Sequence, residues 1–177
     1  MTTAPPERVA ELEIETLDAK HADALVEHFE RCTDYFETVL GHPPGPAERQ
    51  STFIALPEGK TYDDKFTFVF IFESKVVGDL DLIRDYPESG EWWLGVLLLD
   101  PSIRSMGLGS DILEAFSNWV AENGGRAIRL AVASKNPEGL RFWQHRGFVE
   151  IERKENVPLG VWRDDLIIMR RPTDEEP

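Results

Sequence analysis

The sequence lacks the features that would place it in a membrane or among disulfide-bonded secreted proteins. Its single cysteine, Cys32, excludes an intrachain disulfide, and this favours a reducing compartment. Its apolar runs stay well short of the roughly 18 residues of a membrane-spanning helix. Its first eight residues are polar and proline-rich, unlike the apolar segment of a signal peptide. We therefore expect a cytoplasmic protein that does not bind a membrane.

Positive charge is also scarce. The chain has 19 lysines and arginines against 33 aspartates and glutamates, which gives a net charge of −14. Such a protein is a poor nucleic-acid binder unless one face is locally basic. An acidic surface attracts cationic ligands such as amines, although the same charge can serve solubility alone. The four histidines show no metal-ligand spacing, so no metal is expected.

The length of 177 residues favours one domain with a substantial core. We expect a flexible N-terminal tail over residues 1–9, a domain over residues 10–171 and an acidic tail over residues 172–177. The order of predicted elements is typical of an α/β fold.

The first half of the chain predicts a strand over residues 12–17 and then an amphipathic helix of about 20 residues. The apolar stripe of that helix consists of Leu25, Phe29, Cys32, Phe36 and Val39. A short helix near residues 47–56 is weakly patterned. Next come two strands of a hairpin and a strand that we expect to be buried on both faces, over residues 66–72, 76–83 and 92–99.

The second half predicts a parallel strand–helix–strand crossover. Its helix follows a glycine-containing loop, and its second strand covers residues 127–133. Asn136 and Pro137 begin another helix well, as N-cap and first helical residue. Two more strands are expected over residues 148–153 and 161–170.

The loop between the apolar strand and the helix reads Arg104-Ser105-Met106-Gly107-Leu108-Gly109. It is not a P-loop, because no lysine follows the second glycine, and position 112 is too large for a dinucleotide fingerprint. Free N–H groups in such a loop can converge on a pyrophosphate. The alternative is an ordinary strand-to-helix turn with Arg104 as a surface residue.

Two motifs together resemble the GNAT family of N-acetyltransferases. The first is a strand followed by x-x-Pro and Arg-x-x-Gly-x-Gly, here ending at Gly109. The second is Asn-x-x-Gly-x-x-Phe-Trp-x-x-x-Gly-Phe, which runs from Asn136 to Phe148. The resemblance implies a single-domain GNAT fold, with a mixed sheet of about six to seven strands flanked by about four helices. It also implies acetyl-CoA as co-substrate.

The resemblance assigns the cofactor-binding residues. The pantetheine arm would follow the backbone of the central strand, whose N–H near Leu98 would also stabilise the oxyanion. Asn136 would touch that arm, or serve only as a helix cap. The full set is Leu97, Leu98, Leu99, Arg104, Ser105, Met106, Gly107, Leu108, Gly109, Ser110, Asn136 and Trp143.

The sequence offers more than one candidate for the general acid and for the general base. Trp143 stands where many family members have a tyrosine that protonates the thiolate, so the acid is Tyr86, a water, or nothing. Glu91 opens the central strand in the register of the catalytic glutamate of histone-type members. We expect Trp92 and Trp93 to desolvate Glu91 and raise its pKa, unless it is merely a solvated strand-end carboxylate.

Asp79 and Asp81 share one face of the preceding strand. They are rivals of Glu91 for the base, or ligands of a cationic acceptor. The expected acceptor-binding set is Asp34, Tyr35, Asp79, Asp81 and Trp93.

The sequence thus predicts an N-acetyltransferase that acts on a small, cationic or amphipathic primary amine. A non-catalytic acyl-CoA-binding sensor or interaction module is the alternative. Another acyl donor, or a hydroxyl acceptor, is a third option. Many family members are dimers, so a homodimer is compatible with the resemblance.

Overall fold

The computed structural model describes residues 2–173, which form an eight-stranded mixed sheet and five α-helices. The α/β prediction is confirmed. The strands are β1 (Arg8–Val9), β2 (Leu12–Thr16), β3 (Lys65–Phe72), β4 (Lys75–Ile83), β5 (Glu91–Leu99), β6 (Ala127–Ala133), β7 (Val149–Leu159) and β8 (Trp162–Pro172). The helices are α1 (Ala22–Arg31), α2 (Thr33–Leu40), α3 (Pro46–Ile54), α4 (Leu108–Glu122) and α5 (Pro137–His145).

The sheet has the order β1-β2-β3-β4-β5-β6-β8-β7. The predicted hairpin is β3–β4, and the predicted parallel crossover joins β5 to β6 through α4. The parallel pairing runs only from Glu91↔Ala127 to Trp93↔Arg129. Beyond Trp93 the two strands diverge. In the part of the chain that the structure describes, the β6-facing edge of β5 therefore has no partner strand over residues 94–99.

The two faces of the sheet carry different helices. On one face, α4 and α5 pack against the strands in the larger apolar cluster. On the other face, a smaller cluster joins α1 and α2 to Leu98 of β5, with Phe53 of α3 at its margin. Strand alternation sends Leu80 and Leu82 of β4 into the larger cluster. Asp79 and Asp81, which alternate with these leucines along β4, therefore belong to the α1–α3 face.

The prediction of one helix of about 20 residues is wrong. The chain forms α1 and α2, which meet at Cys32, where φ is −95° and ψ is 22°. The Cys32 N–H is shared between the carbonyls of His28 and Phe29. The apolar residues continue at three- and four-residue steps through the break, so their spacing could not reveal it.

Both chain ends differ from the expected tails. Residues 8 and 9 form β1, which is one reason why the sheet has more strands than predicted. The Thr3 N–H donates to Asn123 Oδ1 at 2.8 Å, and the Trp119 indole donates to the Thr3 carbonyl at 2.9 Å. At the other end, the acidic tail was expected over residues 172–177. Strand β8 extends to Pro172, and residues 174–177 of that tail lie outside the described residues.

Strand β5 is not buried on both faces along its whole length, as was expected. Leu94 and Leu98 are buried, but Gly95 is exposed, and Val96, Leu97 and Leu99 are half-buried. This half of β5 borders the gap that opens where β6 diverges. Among residues 2–173, no helix is long and apolar enough to cross a membrane.

Candidate functional site

The loop between β5 and α4 presents a row of backbone N–H groups. Ser105 and Gly107 have positive φ, at 63° and 82°, and Gly107 is the N-cap of α4. From residue 105 to residue 110, no N–H donates to a backbone carbonyl outside α4 among the described residues. These free donors lie at the positive end of a 15-residue helix. The arrangement fits a pyrophosphate.

Arg104 is held in place by other groups of the chain. Its Nε donates to the Leu99 carbonyl at 2.8 Å, and its Nη1 lies 2.5 Å from Asp34 Oδ2. This ion pair lowers the pKa of Asp34. Asp34, predicted to bind the acceptor, thus contacts the side chain predicted to bind the cofactor. Part of the positive charge of Arg104 is already compensated.

The second motif supports the loop from the side. Gly109 allows α5 to approach α4 closely, because a Cβ there would lie 3.3 Å from the Phe142 ring. Asn136 is the N-cap of α5 and accepts the Gly139 N–H at 3.0 Å, as the cap interpretation predicted. Trp143 is buried in the larger apolar cluster, in edge contact with Phe142 and Phe148. Its indole therefore packs in the core of the protein.

A cavity of about 560 Å³ lies between the α1–α3 helices and strands β4 and β5. We call it the acceptor cavity. Its walls combine aromatic and aliphatic side chains with three carboxylates. The lining residues are Phe29, Tyr35, Phe36, Val39, Leu40, Ala47, Glu48, Ser51, Thr52, Ala55, Asp79, Asp81, Gly95, Val96 and Leu98.

The β7–β8 turn holds one wall of the acceptor cavity in place. The Val161 N–H donates to the Leu40 carbonyl, and the Trp162 indole donates to the Val39 carbonyl, both at 2.9 Å. Gly160 is required here, because a Cβ at this position would lie 2.1 Å from the Leu40 carbonyl oxygen. The turn therefore fixes the end of α2 at the cavity.

Asp79 is the most deeply buried carboxylate of the acceptor cavity. Its side chain is completely buried, and its Oδ1 lies 3.0 Å from His28 Nε2. Its Oδ2 has no hydrogen-bond partner among the described residues. Burial raises the pKa of Asp79, although the His28 contact opposes the shift. Asp79 pairs with Leu98 across the β4–β5 ladder, so it stands directly beside the strand where the oxyanion donor is expected.

His28 joins Asp79 to the point where β5 leads into the loop of residues 104–109, which we call the phosphate loop because it is predicted to bind the pyrophosphate. Its Nδ1 lies 2.5 Å from Asp100 Oδ1, and Asp100 Oδ2 accepts from Arg31 Nε at 2.5 Å. Burial opposes protonation, but hydrogen bonds to Asp100 and Asp79 raise the pKa of His28 to about 11. The imidazolium thus bridges two buried carboxylates.

Three atoms of this network could in principle ligate a metal ion. Donors of His28, Cys32 and Asp100 lie within 4.8 Å of one another. However, His28 and Asp100 are already hydrogen-bonded to each other, and the Arg31 guanidinium on Asp100 would repel a cation. We therefore interpret the group as a hydrogen-bonded network.

Two other predicted acceptor residues also line the cavity. Asp81 is compensated, because its Oδ1 accepts from Lys65 Nζ and from the Thr67 hydroxyl, each at 2.7 Å. Tyr35 carries a phenol whose pKa is raised by burial and by the negative charge of Asp79. Its hydroxyl therefore stays protonated at neutral pH.

Glu91 lies in different surroundings from those expected. Its carboxylate accepts from Arg129 Nε at 2.8 Å and from Arg170 Nη2 at 2.9 Å. Burial opposes the shift, but these two arginines lower the pKa of Glu91. The expected rise of its pKa is wrong, because two guanidinium groups outweigh the desolvation by neighbouring tryptophans. Glu91 does not line the acceptor cavity.

Tyr86 and Trp93 lie together near the Glu91 end of β5. Their rings are in edge contact with centroids 5.9 Å apart. Neither residue lines the acceptor cavity. The structure thus separates these two predicted site residues from Asp79, Asp81 and Tyr35.

The site residues predicted from sequence do not include three members of the network around Asp79: His28, Arg31 and Asp100. One signal was available for His28. It lies three residues after Leu25 and four before Cys32, so helical spacing places it on the buried face of α1. A histidine on an apolar stripe requires a buried partner. Nothing in the sequence indicated which carboxylate that partner would be.

The curated proteins that this chain matches include one of much greater length. A segment of 82 residues, 46% of this chain, is 34% identical to a probable serine/threonine-protein kinase of Dictyostelium discoideum. The match covers only 11% of that kinase.

Many solved structures share the fold. An acetyltransferase from Thermus thermophilus superposes with a TM-score of 0.73 at 24% identity, covering 93% of this chain and 98% of that one. The ribosomal-protein-S18-alanine N-acetyltransferase from Escherichia coli gives 0.67 at 20% identity, covering 94% and 96%. An acetyl transfer enzyme of Salmonella typhimurium, which modifies the N-terminal serine of a 50S ribosomal subunit protein, gives 0.75 at 17% identity, covering 96% and 98%.

The sequence itself carries the family assignment. Residues 23–148 match the acetyltransferase (GNAT) family. The matched segment contains the phosphate loop, the diverging edge of β5, the acceptor cavity and the whole of α5. This protein therefore belongs to the GNAT family of acetyltransferases.

Proposed function

We propose that this protein transfers the acetyl group of acetyl-CoA to a primary amine bound in the acceptor cavity. The observation that carries the proposal is Asp79, a buried carboxylate that lines a cavity beside β5 and has one oxygen without a hydrogen-bond partner among residues 2–173. Acetyl-CoA supplies an activated acetyl group. The free N–H groups of residues 105–110 would bind its pyrophosphate, and the open edge of residues 97–99 would pair with its pantetheine arm.

Asp79 is proposed as the general base in place of Glu91. Only the free amine attacks the thioester, so a carboxylate must first accept a proton from the ammonium group. Asp79 has a raised pKa and a free Oδ2. Glu91 precedes Leu98 by seven residues, which is roughly 23 Å along a strand, and both of its oxygens are occupied by arginines.

The proton would move from the ammonium to Asp79, and the amine nitrogen would then form a bond to the acetyl carbon. The bond from that carbon to sulfur breaks and the thiolate leaves. The nitrogen loses its second proton, and the thiolate takes up a proton to give CoA-SH. Two tyrosines compete for the role of proton donor to the thiolate. Tyr86 was the prediction from sequence, and Tyr35 is the tyrosine that lines the acceptor cavity.

The cavity walls support an acceptor with one cationic end and an apolar body. Phe29, Tyr35 and Phe36 provide aromatic surface, and Val39 and Leu40 provide aliphatic surface. Aromatic faces and carboxylates together favour a cation with apolar neighbours. An acidic acceptor would meet carboxylates of the same sign, so we propose a small, cationic or amphipathic amine.

The test is release of CoA thiol from acetyl-CoA over a panel of acceptors. The panel pairs aralkyl and alkyl amines with the corresponding alcohols, with acidic amino acids and with peptides that begin in alanine or serine. Mass spectrometry identifies the acetylated product. We expect turnover with apolar primary amines, inhibition without turnover by their trimethylammonium analogues, and no reaction with acidic amino acids.

The alternative is a non-catalytic acyl-CoA-binding module. It would give saturable acetyl-CoA binding by calorimetry and no thiol release with any member of the panel. That outcome would refute the enzymatic proposal. Turnover only with the alcohols would refute the amine acceptor.

A further inference from the structure

We propose that His28 is a positioning residue of the acceptor site, which holds the Asp79 carboxylate with one oxygen bound and the other directed into the cavity. The inference rests on the proposed function, since it concerns the base of that reaction. It adds a residue outside the phosphate loop and outside the second motif.

The contacts of His28 define a single orientation of Asp79. Ring nitrogen Nε2 lies 3.0 Å from Asp79 Oδ1, whereas Asp79 Oδ2 has no partner among residues 2–173. Asp79 is one of the residues that line the cavity. Ring nitrogen Nδ1 lies 2.5 Å from Asp100 Oδ1. Because both ring nitrogens face carboxylates, the imidazole donates from both when it is protonated. It cannot rotate without losing one of these bonds.

Asp100 and Arg31 in turn anchor His28. Arg31 Nε donates to Asp100 Oδ2 at 2.5 Å, and Arg31 Nη2 donates to the Val76 carbonyl of β4 at 2.6 Å. The Asp100 N–H donates to the Val77 carbonyl at 2.8 Å. Charges alternate in sign from Arg31 through Asp100 and His28 to Asp79. Such a closed network fixes a buried side chain more firmly than a single hydrogen bond does.

The charge of His28 also keeps Asp79 usable as a base. Full burial alone would hold a carboxyl group protonated at neutral pH, and a protonated Asp79 could not accept a proton. A cation at 3.0 Å favours the ionised form. The other titratable groups around Asp79 are Asp81 and its partner Lys65, Tyr35, Cys32, Glu48, and the Asp100–Arg31 pair.

The test compares His28→Gln with His21→Gln by the pH dependence of kcat/KM. His21 is a suitable control, because it is also buried with both ring nitrogens engaged, to Glu15 and to the Asp18 N–H, but it does not line the cavity. In His28→Gln we expect kcat/KM to fall roughly tenfold or more, and the acid limb of the profile to move to higher pH. Acetyl-CoA affinity should remain that of the wild type. In His21→Gln the acid limb of the kcat/KM profile should remain at the pH of the wild type.

The outcomes separate this inference from the proposed function. Absence of turnover by the wild-type protein would overturn the proposed function. Wild-type turnover with an unmoved acid limb in His28→Gln would overturn the positioning role alone. A second measurement does not depend on the variant: the ring-nitrogen NMR signals of the wild-type protein. We expect both nitrogens of His28 to carry protons at pH 8, and a neutral ring at that pH would overturn the inference.

Discussion

A buried carboxylate lies beside each end of β5, Glu91 on the strand itself and Asp79 on the neighbouring β4, and the two groups have opposite surroundings. At the beginning of the strand, Glu91 receives two guanidinium groups, which lower its pKa. Near its end, Asp79 lies across from Leu98 and shares one oxygen with an imidazole, and burial raises its pKa. Glu91 closes the end of the sheet where β5 and β6 are paired. Asp79 stands where the two strands have diverged.

The difference shows that burial alone does not define a functional carboxylate. Glu91 and Asp79 are both buried, yet only Asp79 has an oxygen without a partner next to a cavity. A fully paired carboxylate stabilises its surroundings, and a partly paired one remains able to accept a proton.

The largest expected effect comes from exchanging the two carboxylates for their amides. Asp79→Asn should lower kcat on the order of 10²- to 10⁴-fold, because the amide cannot accept the proton. Glu91→Gln should leave the kcat of the folded protein within a few-fold. Steady-state thiol release at saturating acetyl-CoA measures both. The reverse pattern, with Glu91→Gln inactive and Asp79→Asn active, would identify Glu91 as the base.

A second effect should appear in stability rather than activity. Glu91→Gln should lower the free energy of unfolding by about 1–3 kcal/mol, because two arginines lose a charged acceptor. The folded-state pKa of Glu91 lies below its ordinary value of 4.5, so its ion pairs stabilise the fold above that pH and stop doing so as pH falls through the lowered pKa. Urea unfolding at pH 7 and at pH 3 should therefore separate wild type from variant at pH 7 and bring them closer at pH 3.

Two comparable glycines flank α4: Gly107 in the phosphate loop before the helix, and Gly124 after its end. Gly107 and Gly124 both have φ of +82° and open space around a built Cβ. A valine at either position should cost roughly 1–2 kcal/mol of backbone strain. Only Gly107→Val should weaken acetyl-CoA binding, by about tenfold, as measured by calorimetry. Equal loss of affinity in Gly124→Val would show that the effect is global.

The smallest expected effect concerns the proton donor. Tyr35→Phe should lower kcat by roughly threefold or less, since a thiol with a pKa of about 8.5 leaves without much assistance. Tyr86→Phe should leave kcat unchanged, because its ring packs on Trp93 away from the cavity. Thiol release between pH 7 and 9 measures both. A larger loss of kcat in Tyr86→Phe than in Tyr35→Phe would identify Tyr86 as the proton donor.

Local patterns in the sequence determined the fold class, the β3–β4 hairpin, the crossover through α4 and the position of the phosphate loop. These features depend on neighbours in the chain: periodic apolar residues, Gly107 at a positive φ, and Asn136 before Pro137 at a helix start. The spacing of the two motifs also carried the resemblance to the GNAT family, which the match over residues 23–148 confirms.

Only the tertiary structure decided how the carboxylates are paired. Arg170 reaches Glu91 from β8. Asp100, which follows β5, and Asp79, in the middle of β4, meet at His28. These partners are between 51 and 79 residues apart in sequence. Periodicity shows which residues face inward, but it does not show which charge lies opposite. For this reason the sequence could predict an anion-binding loop from local residues, whereas the packing of α1 on β4 decided which carboxylate keeps an oxygen without a hydrogen-bond partner among the described residues.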